Sequence, residues 1–320
     1  MKIFLTRVLL VLLISALPIA VYIIFHSSLI KVFPNDNARH FSIREYLDNP
    51  PEKAQVIFFG SSLGMFGVDA AVLDSLDGEK QYINLCTSGQ TTSELVHFLE
   101  DLPPGTKEVL FCQPYYFIQG DEPYPLPENK AVSLSLARFK TGRFEYGFNS
   151  EFDNKANLYP SNIIAASLNF RSSLHISLRS ILDKHQNQEF SWKTFWSLKH
   201  PFYYNSERSY NYNQKKPSSP EKLTITLGQQ KLDTHNKISE YLAERKIKYT
   251  VVMMPMNSDF YDYSDADKTV NELRRTARFE IINLTGAVSA DDFYDIGHVN
   301  RRGSTILTQM LWNDYFNTTR

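Results

Sequence analysis

The sequence lacks the features by which several large classes of protein are recognised. It contains only two cysteines in 320 residues, and its formal net charge is −1. This charge balance offers no basic surface to a nucleic acid, so we expect no nucleic-acid partner. The chain also has no Gly-rich phosphate loop, no Cys/His spacing typical of zinc sites and no calcium-binding loop. We therefore predict no metal or nucleotide cofactor.

The N-terminal 30 residues differ from the rest of the chain. Lys2 and Arg7 are followed by an uncharged, mostly apolar run that continues to Ile30 and is about long enough to cross a bilayer as a helix. A cleaved signal peptide is the alternative, but its apolar core would be shorter, whereas here apolar residues continue after Ala20. We predict an uncleaved membrane anchor over residues 1–30, with Lys2 and Arg7 on the cytoplasmic side.

Short apolar runs alternate with helical patterns in the remaining chain. Residues 31–51 are polar and contain three prolines, which predicts a connector. The alternation over residues 52–320 predicts an α/β domain whose parallel sheet is covered on both faces. Thr91-Thr92-Ser93-Glu94 is a capping-box pattern that predicts a helix start. The expected strands are Val56–Phe59, Gln81–Leu85, Glu108–Cys112, Lys248–Met254 and Phe279–Leu284.

The first strand ends in Gly60-Ser61-Ser62, which places small hydroxyls after a buried strand. Ligands and chemistry collect at the carboxyl edge of the strands in open α/β folds, so these serines are candidate nucleophiles. A tight turn in which Gly and Ser only suit the backbone is an equal alternative. Asp69 is expected to cap a helix that carries three apolar residues on one side, namely Val72, Leu73 and Leu76.

A second motif, Asp295-Ile296-Gly297-His298, precedes a predicted final amphipathic helix. An aspartate three residues before a histidine can orient the imidazole, which can then accept a proton from a serine. One such motif is expected by chance in a chain with eight histidines. Its combination with the serine turn favours a Ser-His-Asp triad. Asp291 and Asp292 are alternatives to Asp295 as the acid, but their spacing from His298 is less suitable.

These motifs resemble the blocks of the SGNH/GDSL hydrolase superfamily. The resemblance places Ser62 at the nucleophile position, His298 and Asp295 at the base and acid positions, and Gly89 in the oxyanion hole. It also implies a flavodoxin-like three-layer α/β/α sandwich. The G-x-N-D block of the superfamily is missing, because Gln113 and Pro114 follow the third strand. Gln113 is a candidate substitute for the missing oxyanion donor, and a hydrogen bond to backbone is its alternative role.

A finer resemblance lies in Pro255-Met256-Asn257 and Tyr261-Asp262-Tyr263, which are similar to a motif of the DltD group of teichoic-acid D-alanylation. That group shares its layout with bacterial polysaccharide O-acetylation proteins related to alginate acetylation. The resemblance implies a single-pass, periplasmic serine acyltransferase or esterase that acts on a polysaccharide or teichoic-acid-like polymer of the cell envelope. It also implies a multi-pass membrane O-acyltransferase as a partner. A non-catalytic binding or assembly subunit of an envelope acylation complex is the alternative.

Two further expectations concern the cysteines and a long interruption of the pattern. In the strand order that the superfamily implies, 2-1-3-4-5, Cys86 and Cys112 end strands on either side of the first strand. That separation, about 9–10 Å, exceeds disulfide reach, so we expect two free, largely buried thiols. Residues 117–222 are predicted to be a partly helical insertion over the catalytic edge of the sheet, whose aromatic residues serve packing or, alternatively, sugar stacking.

Overall fold

The computed structural model describes residues 4, 6–8, 10–11, 13–14, 17, 36–114, 198–200, 217–222 and 228–318. Most of the predicted membrane anchor and most of the predicted insertion at residues 117–222 lie outside this part of the chain. In the described part, no helix is long and apolar enough to cross a membrane.

Five parallel strands form the central sheet, and they fall where the apolar runs predicted them. The strands are β1 (Gln55–Gly60), β2 (Gln81–Asn84), β3 (Thr106–Pro114), β4 (Lys248–Met254) and β5 (Glu280–Asn283). Their order across the sheet is β2-β1-β3-β4-β5. Every residue of β1 is buried, as expected for a strand covered on both faces. The predicted α/β class with a parallel sheet is confirmed.

Helices cover both faces of this sheet. Beyond residue 35, the described α-helices are α1 (Asp36–Asp48), α2 (Ser62–Gly67), α3 (Ala70–Asp77), α4 (Thr92–Leu99), α5 (Gln229–Glu244), α6 (Ala266–Thr276) and α7 (Arg301–Met310). A 3-10 turn, Ala290–Asp292, precedes α7, and a π-helical turn, Leu311–Phe316, follows it.

Alternate side chains of β1 point into two separate cores, as the strand period of two requires. Val56 and Phe58 belong to a core formed with α2, α3 and α7. Ile57 and Phe59 belong to a second core formed with α1, α4, α5 and α6. The sheet therefore lies between two helical layers, which is a three-layer arrangement. Helix α4 is buried over residues 93–99, and its apolar side chains lie in the second core, as does that of the following Leu102.

Helix α1 occupies most of the region that its polar composition predicted to be a connector. Ile43 and Leu47 are buried in the second core. His40 is fully buried as well, and its Nε2 lies 2.8 Å from Oε1 of Glu94 on α4. Polarity misled the sequence-based interpretation because three polar side chains of this helix, those of Arg39, His40 and Arg44, are buried and have hydrogen-bond partners.

Asp69 caps α3 as predicted, because its carboxylate accepts the backbone N–H groups of the first helical turn. The predicted apolar face of this helix was only partly right. Leu73 is fully buried, but Val72 and Leu76 are 37% and 42% exposed. The buried face of α3 follows the spacing Ala70, Leu73, Asp77, which leaves the other two apolar side chains on the outer side.

Cys86 and Cys112 are both buried and free, as predicted, and their side chains approach each other from the strands on either side of β1. Both side chains flank Gly64. A Cβ atom built on that glycine would lie 2.7 Å from the Cys86 Sγ and 2.6 Å from the Cys112 Cβ. Burial raises the pKa of the Cys112 thiol, as does its hydrogen bond with Cys86. The side chains converge because Gly64 places no side chain between them.

A buried histidine in the second core should make stability depend on pH. Burial, with the nearby charge of Lys231, lowers the pKa of His235 to about 3. The pKa of a histidine in an unfolded chain is about 6.5. Between these two pH values His235 is protonated in the unfolded chain but not in the folded one. We expect this group to lower the free energy of unfolding by about 1.4 kcal/mol for each pH unit below about 6.

Urea unfolding of the full chain between pH 7 and pH 4.5 measures that slope. His235→Phe should remove this part of the slope. Tyr249→Phe is the matched control: it loses the same 2.7 Å hydrogen bond between His235 Nδ1 and the Tyr249 hydroxyl but keeps the titrating ring. An unchanged slope in His235→Phe would contradict the prediction.

Candidate active site

Ser61 and Ser62 have different roles at the junction of β1 and α2. Ser61 is the N-cap of α2: its backbone is extended, and its Oγ accepts the N–H of Leu63 at 3.4 Å. Its hydroxyl is buried and stabilises the start of the helix. Ser62 is the first helical residue and is partly exposed. The junction therefore leaves the Ser62 hydroxyl accessible at the carboxyl edge of the sheet.

Gly60 is the residue that makes this junction sterically feasible. Its φ is +135°, a conformation that L residues with a Cβ rarely adopt. A Cβ atom here would lie 2.0 Å from the carbonyl oxygen of Cys112 on the neighbouring strand. The N–H of Ser61 donates to that same carbonyl at 3.0 Å. The chain turns immediately after β1 because no side chain separates it from β3.

Replacing Gly60 by alanine is expected to destabilise the fold by about 2–6 kcal/mol, from backbone strain and overpacking together. Gly78→Ala is the matched control, because Gly78 also has a positive φ, +73°, but nothing lies within 4 Å of its added Cβ. The control should lose only about 1–2 kcal/mol. Urea unfolding compares the two variants. Equal losses would show that Gly60 is not sterically constrained by Cys112.

The Asp295–His298 segment forms a tight loop in front of α7. Phe293 and Val299 pair as an isolated antiparallel bridge, and the N–H of Tyr294 donates to the carbonyl of His298 at 2.7 Å. Asn300 then caps α7 by accepting the N–H of Gly303 at 3.1 Å. The bridge closes the loop and the cap starts the helix, so both ends of the motif are held.

The Pro255-Met256-Asn257 segment contacts this loop. The N–H of Asn257 donates to the carbonyl of Ile296 at 2.9 Å. Met256 is buried, and a Cβ added to Gly297 would lie 3.7 Å from its terminal methyl carbon. This segment, which follows β4, therefore supports the loop from the side of the sheet.

Ser62, His298 and Asp295 meet through two short contacts. His298 Nε2 lies 2.7 Å from Ser62 Oγ, and His298 Nδ1 lies 2.6 Å from Asp295 Oδ2. The other carboxylate oxygen, Oδ1, accepts the N–H groups of Gly297 at 2.8 Å and of His298 at 2.6 Å. The Phe66 ring packs on the imidazole with 4.5 Å between ring centroids. A hydroxyl, an imidazole and a carboxylate from residues up to 236 positions apart are thereby brought into one line of contacts.

The protonation of Asp295 follows from its surroundings. Burial alone would raise the pKa of this carboxyl group, but the hydrogen bonds from the His298 ring and from the backbone of His298 and Gly297 lower the pKa below its ordinary value. The carboxylate therefore stays ionised near neutral pH and accepts a proton-bearing Nδ1. A ring that carries a proton on Nδ1 alone would present an unprotonated Nε2 to Ser62.

The rival acids lie elsewhere. Asp292 is buried, forms an ion pair with Arg302 and accepts the Ser289 hydroxyl at 2.6 Å. Burial would raise the pKa of Asp292, but Arg302 and Ser289 lower it overall. Asp291 is exposed, and its backbone carbonyl accepts the Asn300 side chain. Of the three carboxylates, it is Asp295 that contacts the imidazole.

The backbone N–H groups of Ser62 and Gly89 have no backbone acceptor among the described residues. The Ser62 N–H belongs to the first turn of α2, where helices have no internal acceptor. Gly89 adopts a left-handed φ of +55°, and its Cβ position is open. The Gly89 segment is tied to β1, because the N–H of Thr87 donates to the Gly60 carbonyl at 3.0 Å.

The Gln113 side chain makes a hydrogen bond to the backbone at the end of β3. It is buried, and its Nε2 donates to the backbone carbonyl of Gln90 at 2.8 Å. This is the backbone-bonding alternative that the sequence left open for Gln113. Pro114 ends the strand directly after it.

Some supporting residues were not singled out from the sequence. The Asn84 side chain donates to the carbonyls of Gly64 and Val68, at 3.0 Å each, and so stabilises the end of α2. Phe66 and Gln90 were also missed, since neither belongs to a recognisable motif. The carbonyls at the end of a short helix need hydrogen-bond donors. The expected end of a helix soon after the serine turn was therefore the one signal that could have pointed to a donor such as Asn84.

Searches of protein families and of curated proteins found no match to this chain.

Proposed function

We propose that this protein is a serine esterase or acyltransferase that works through Ser62, His298 and Asp295. The observation that carries the proposal is the unbroken chain of contacts from Asp295 Oδ2 through both nitrogens of His298 to Ser62 Oγ, at 2.6 and 2.7 Å. These distances are within hydrogen-bond reach, which is the geometric requirement for a serine activated by a histidine base.

The first step forms an acyl-enzyme. His298 Nε2 accepts the Ser62 hydroxyl proton while Oγ forms a bond to the acyl carbon. Asp295 stabilises the imidazolium that results. The tetrahedral oxyanion accepts hydrogen bonds from the N–H groups of Ser62 and Gly89. The bond to the leaving group then breaks, and His298 returns the proton to the departing oxygen.

The second step transfers the acyl group. His298 takes a proton from water or from a polymer hydroxyl, whose oxygen forms the new bond to the acyl carbon. The bond to Ser62 Oγ breaks, and the proton returns to that oxygen. Water as acceptor makes the protein an esterase, and a polymer hydroxyl makes it an acyltransferase.

The parallel sheet, its strand order and the position of the triad at the carboxyl edge support membership in the SGNH hydrolase superfamily. The resemblance to the DltD group extends the proposal to an envelope polymer, modified by O-acetylation or D-alanylation. The proposed periplasmic location and the membrane anchor depend on the charge pattern of residues 1–30. A multi-pass O-acyltransferase is the proposed membrane partner.

One observation favours a second candidate function. Gln113 donates to the backbone carbonyl of Gln90, and the G-x-N-D block that supplies the side-chain oxyanion donor of the superfamily is missing. Loss of one oxyanion donor typically costs about 10²–10³ in turnover. A member with such weak chemistry could serve as a binding or assembly subunit of an envelope acylation complex.

The deciding experiment incubates the full chain with an aryl acetate and follows both products. We expect release of the phenol and an acetyl group on the peptide that contains Ser62, detected by mass spectrometry. An O-acetylated polysaccharide offered as acyl acceptor or donor then distinguishes transfer from hydrolysis. If no acyl-enzyme forms, while Ser62→Ala still supports polymer acylation in cells, the assembly function is the better one.

A further inference from the structure

A buried polar network lies beneath the segment that carries Gly89. Its central residue is Gln90, which is only 2% exposed. The side-chain Oε1 of Gln90 accepts the N–H of Gly60. The Nε2 of the same amide donates to the Leu85 carbonyl at 3.3 Å and to Oε1 of Glu94 at 3.4 Å. One side chain therefore contacts the end of β1 and the residue that follows β2.

The backbone of Gln90 adds two more links. Its carbonyl accepts the Gln113 side chain at 2.8 Å, and its N–H donates to the carbonyl of Thr87 at 3.3 Å. The N–H of Thr87 in turn donates to the Gly60 carbonyl at 3.0 Å. Both backbone groups of Gly60 are thus held by residues 87–90, the N–H by a side chain and the carbonyl by backbone.

Helices α4 and α1 contribute further side chains to the network, namely those of Glu94 and His40. Oε1 of Glu94 accepts the Thr87 hydroxyl at 2.7 Å and lies 2.8 Å from Nε2 of His40 on α1. The sequence predicted that Glu94 would close a capping box with Thr91. Only half of that box forms, because Thr91 Oγ1 accepts the Glu94 N–H while the carboxylate is used in the network. All of these side chains are buried, so the network is rigid compared with surface contacts.

We propose that Gln90 is a positioning residue, which sets the distance between Ser62 Oγ and the N–H of Gly89. The inference rests on the proposed serine chemistry. Gly60 lies two residues before Ser62 and Gln90 directly follows Gly89, so the Gln90–Gly60 hydrogen bond is a short link between nucleophile and oxyanion donor. A displacement of about 1 Å at a reacting group can cost about 10² in rate.

The test compares steady-state kinetics of the full chain on an aryl acetate. Gln90→Met keeps the length of the side chain but removes its hydrogen-bonding groups. We expect kcat to fall about 10- to 100-fold and KM to change less than about threefold, because the lost alignment is needed only in the transition state. Labelling of Ser62 by a fluorophosphonate should slow in parallel.

A rescue variant separates positioning from simple packing. Gln90→Glu combined with Glu94→Gln exchanges the amide and the carboxylate, so an acceptor again faces Gly60, but the donor to the Leu85 carbonyl is lost. This double variant should recover part of the kcat that Gln90→Met loses. Glu94→Gln alone keeps the Gln90–Gly60 hydrogen bond and is the single-variant reference for this comparison.

Three results would overturn the inference. An active wild type with an unchanged kcat in Gln90→Met would show that the positioning role is wrong while the proposed function holds. A wild type that neither turns over the ester nor is labelled at Ser62 would contradict the proposed function and this inference together. Gln90→Asn, one carbon too short to reach Gly60, replaces the methionine variant if that one does not fold. If neither folds, Gln90 is a structural residue and the inference fails.

Discussion

Ser62→Ala is expected to lower ester turnover by about 10⁴- to 10⁶-fold and to abolish labelling by a fluorophosphonate probe. The Ser62 hydroxyl is the one that contacts His298 Nε2, at 2.7 Å. An alanine there removes the atom that would form the acyl bond. Residual hydrolysis would come from the remaining backbone donors and from binding alone.

Ser61→Ala is the matched control, because the two serines are adjacent and equal in size. It removes the N-cap hydrogen bond to Leu63, so we expect a loss of about 1 kcal/mol in unfolding free energy. Turnover and labelling should remain within about tenfold of wild type. Probe labelling that survives Ser62→Ala but disappears in Ser61→Ala would reverse the assignment of the nucleophile.

Asp295→Asn is expected to lower kcat by about 10³- to 10⁴-fold without unfolding the protein. The asparagine oxygen can still accept the N–H groups of Gly297 and His298. Its amide nitrogen would then face His298 Nδ1 and donate to it. The ring would carry its proton on Nε2 and could no longer accept one from Ser62.

Asp292→Asn tests whether this loss is specific to the triad. Asp292 is a buried carboxylate three residues away in the same chain segment, with Arg302 as its ion-pair partner. Its replacement should reduce the thermal unfolding temperature but leave kcat within about tenfold of wild type. Steady-state kinetics and thermal unfolding of both variants complete the test. A similar loss of kcat in both would mean that Asp295 acts through loop stability and not through His298.

Local patterns were sufficient to place the strands. The apolar run at β1 and the run at β4 predicted buried strands, and the structure has both. A run of apolar residues between turn signals is a property of adjacent residues, so it can be recognised without the fold. Gly60-Ser61-Ser62 and Asp295–His298 can be recognised in the same way. Their short spacings alone indicate a candidate nucleophile and a histidine oriented by an aspartate.

The sequence could not assign the polar residues that support the site. Glu94 was predicted to cap a helix, whereas its carboxylate lies in a network with Gln90 and His40. The region of helix α1 was predicted to be a connector because its composition is polar. A polar side chain is normally counted as solvent-exposed, and only the packing of distant segments shows that it has a buried partner.

The sequence by itself determined the parallel α/β architecture and the candidate catalytic residues, because both can be recognised from patterns of residues that are close together in the chain. The tertiary structure decided which serine faces the histidine, since the N-cap geometry after Gly60 turns Ser61 inward and leaves Ser62 accessible. It also decided that Gln113 bonds to backbone and that Cys86 approaches Cys112. These outcomes depend on distances between segments that are far apart in the chain, and such distances exist only after the strands have paired.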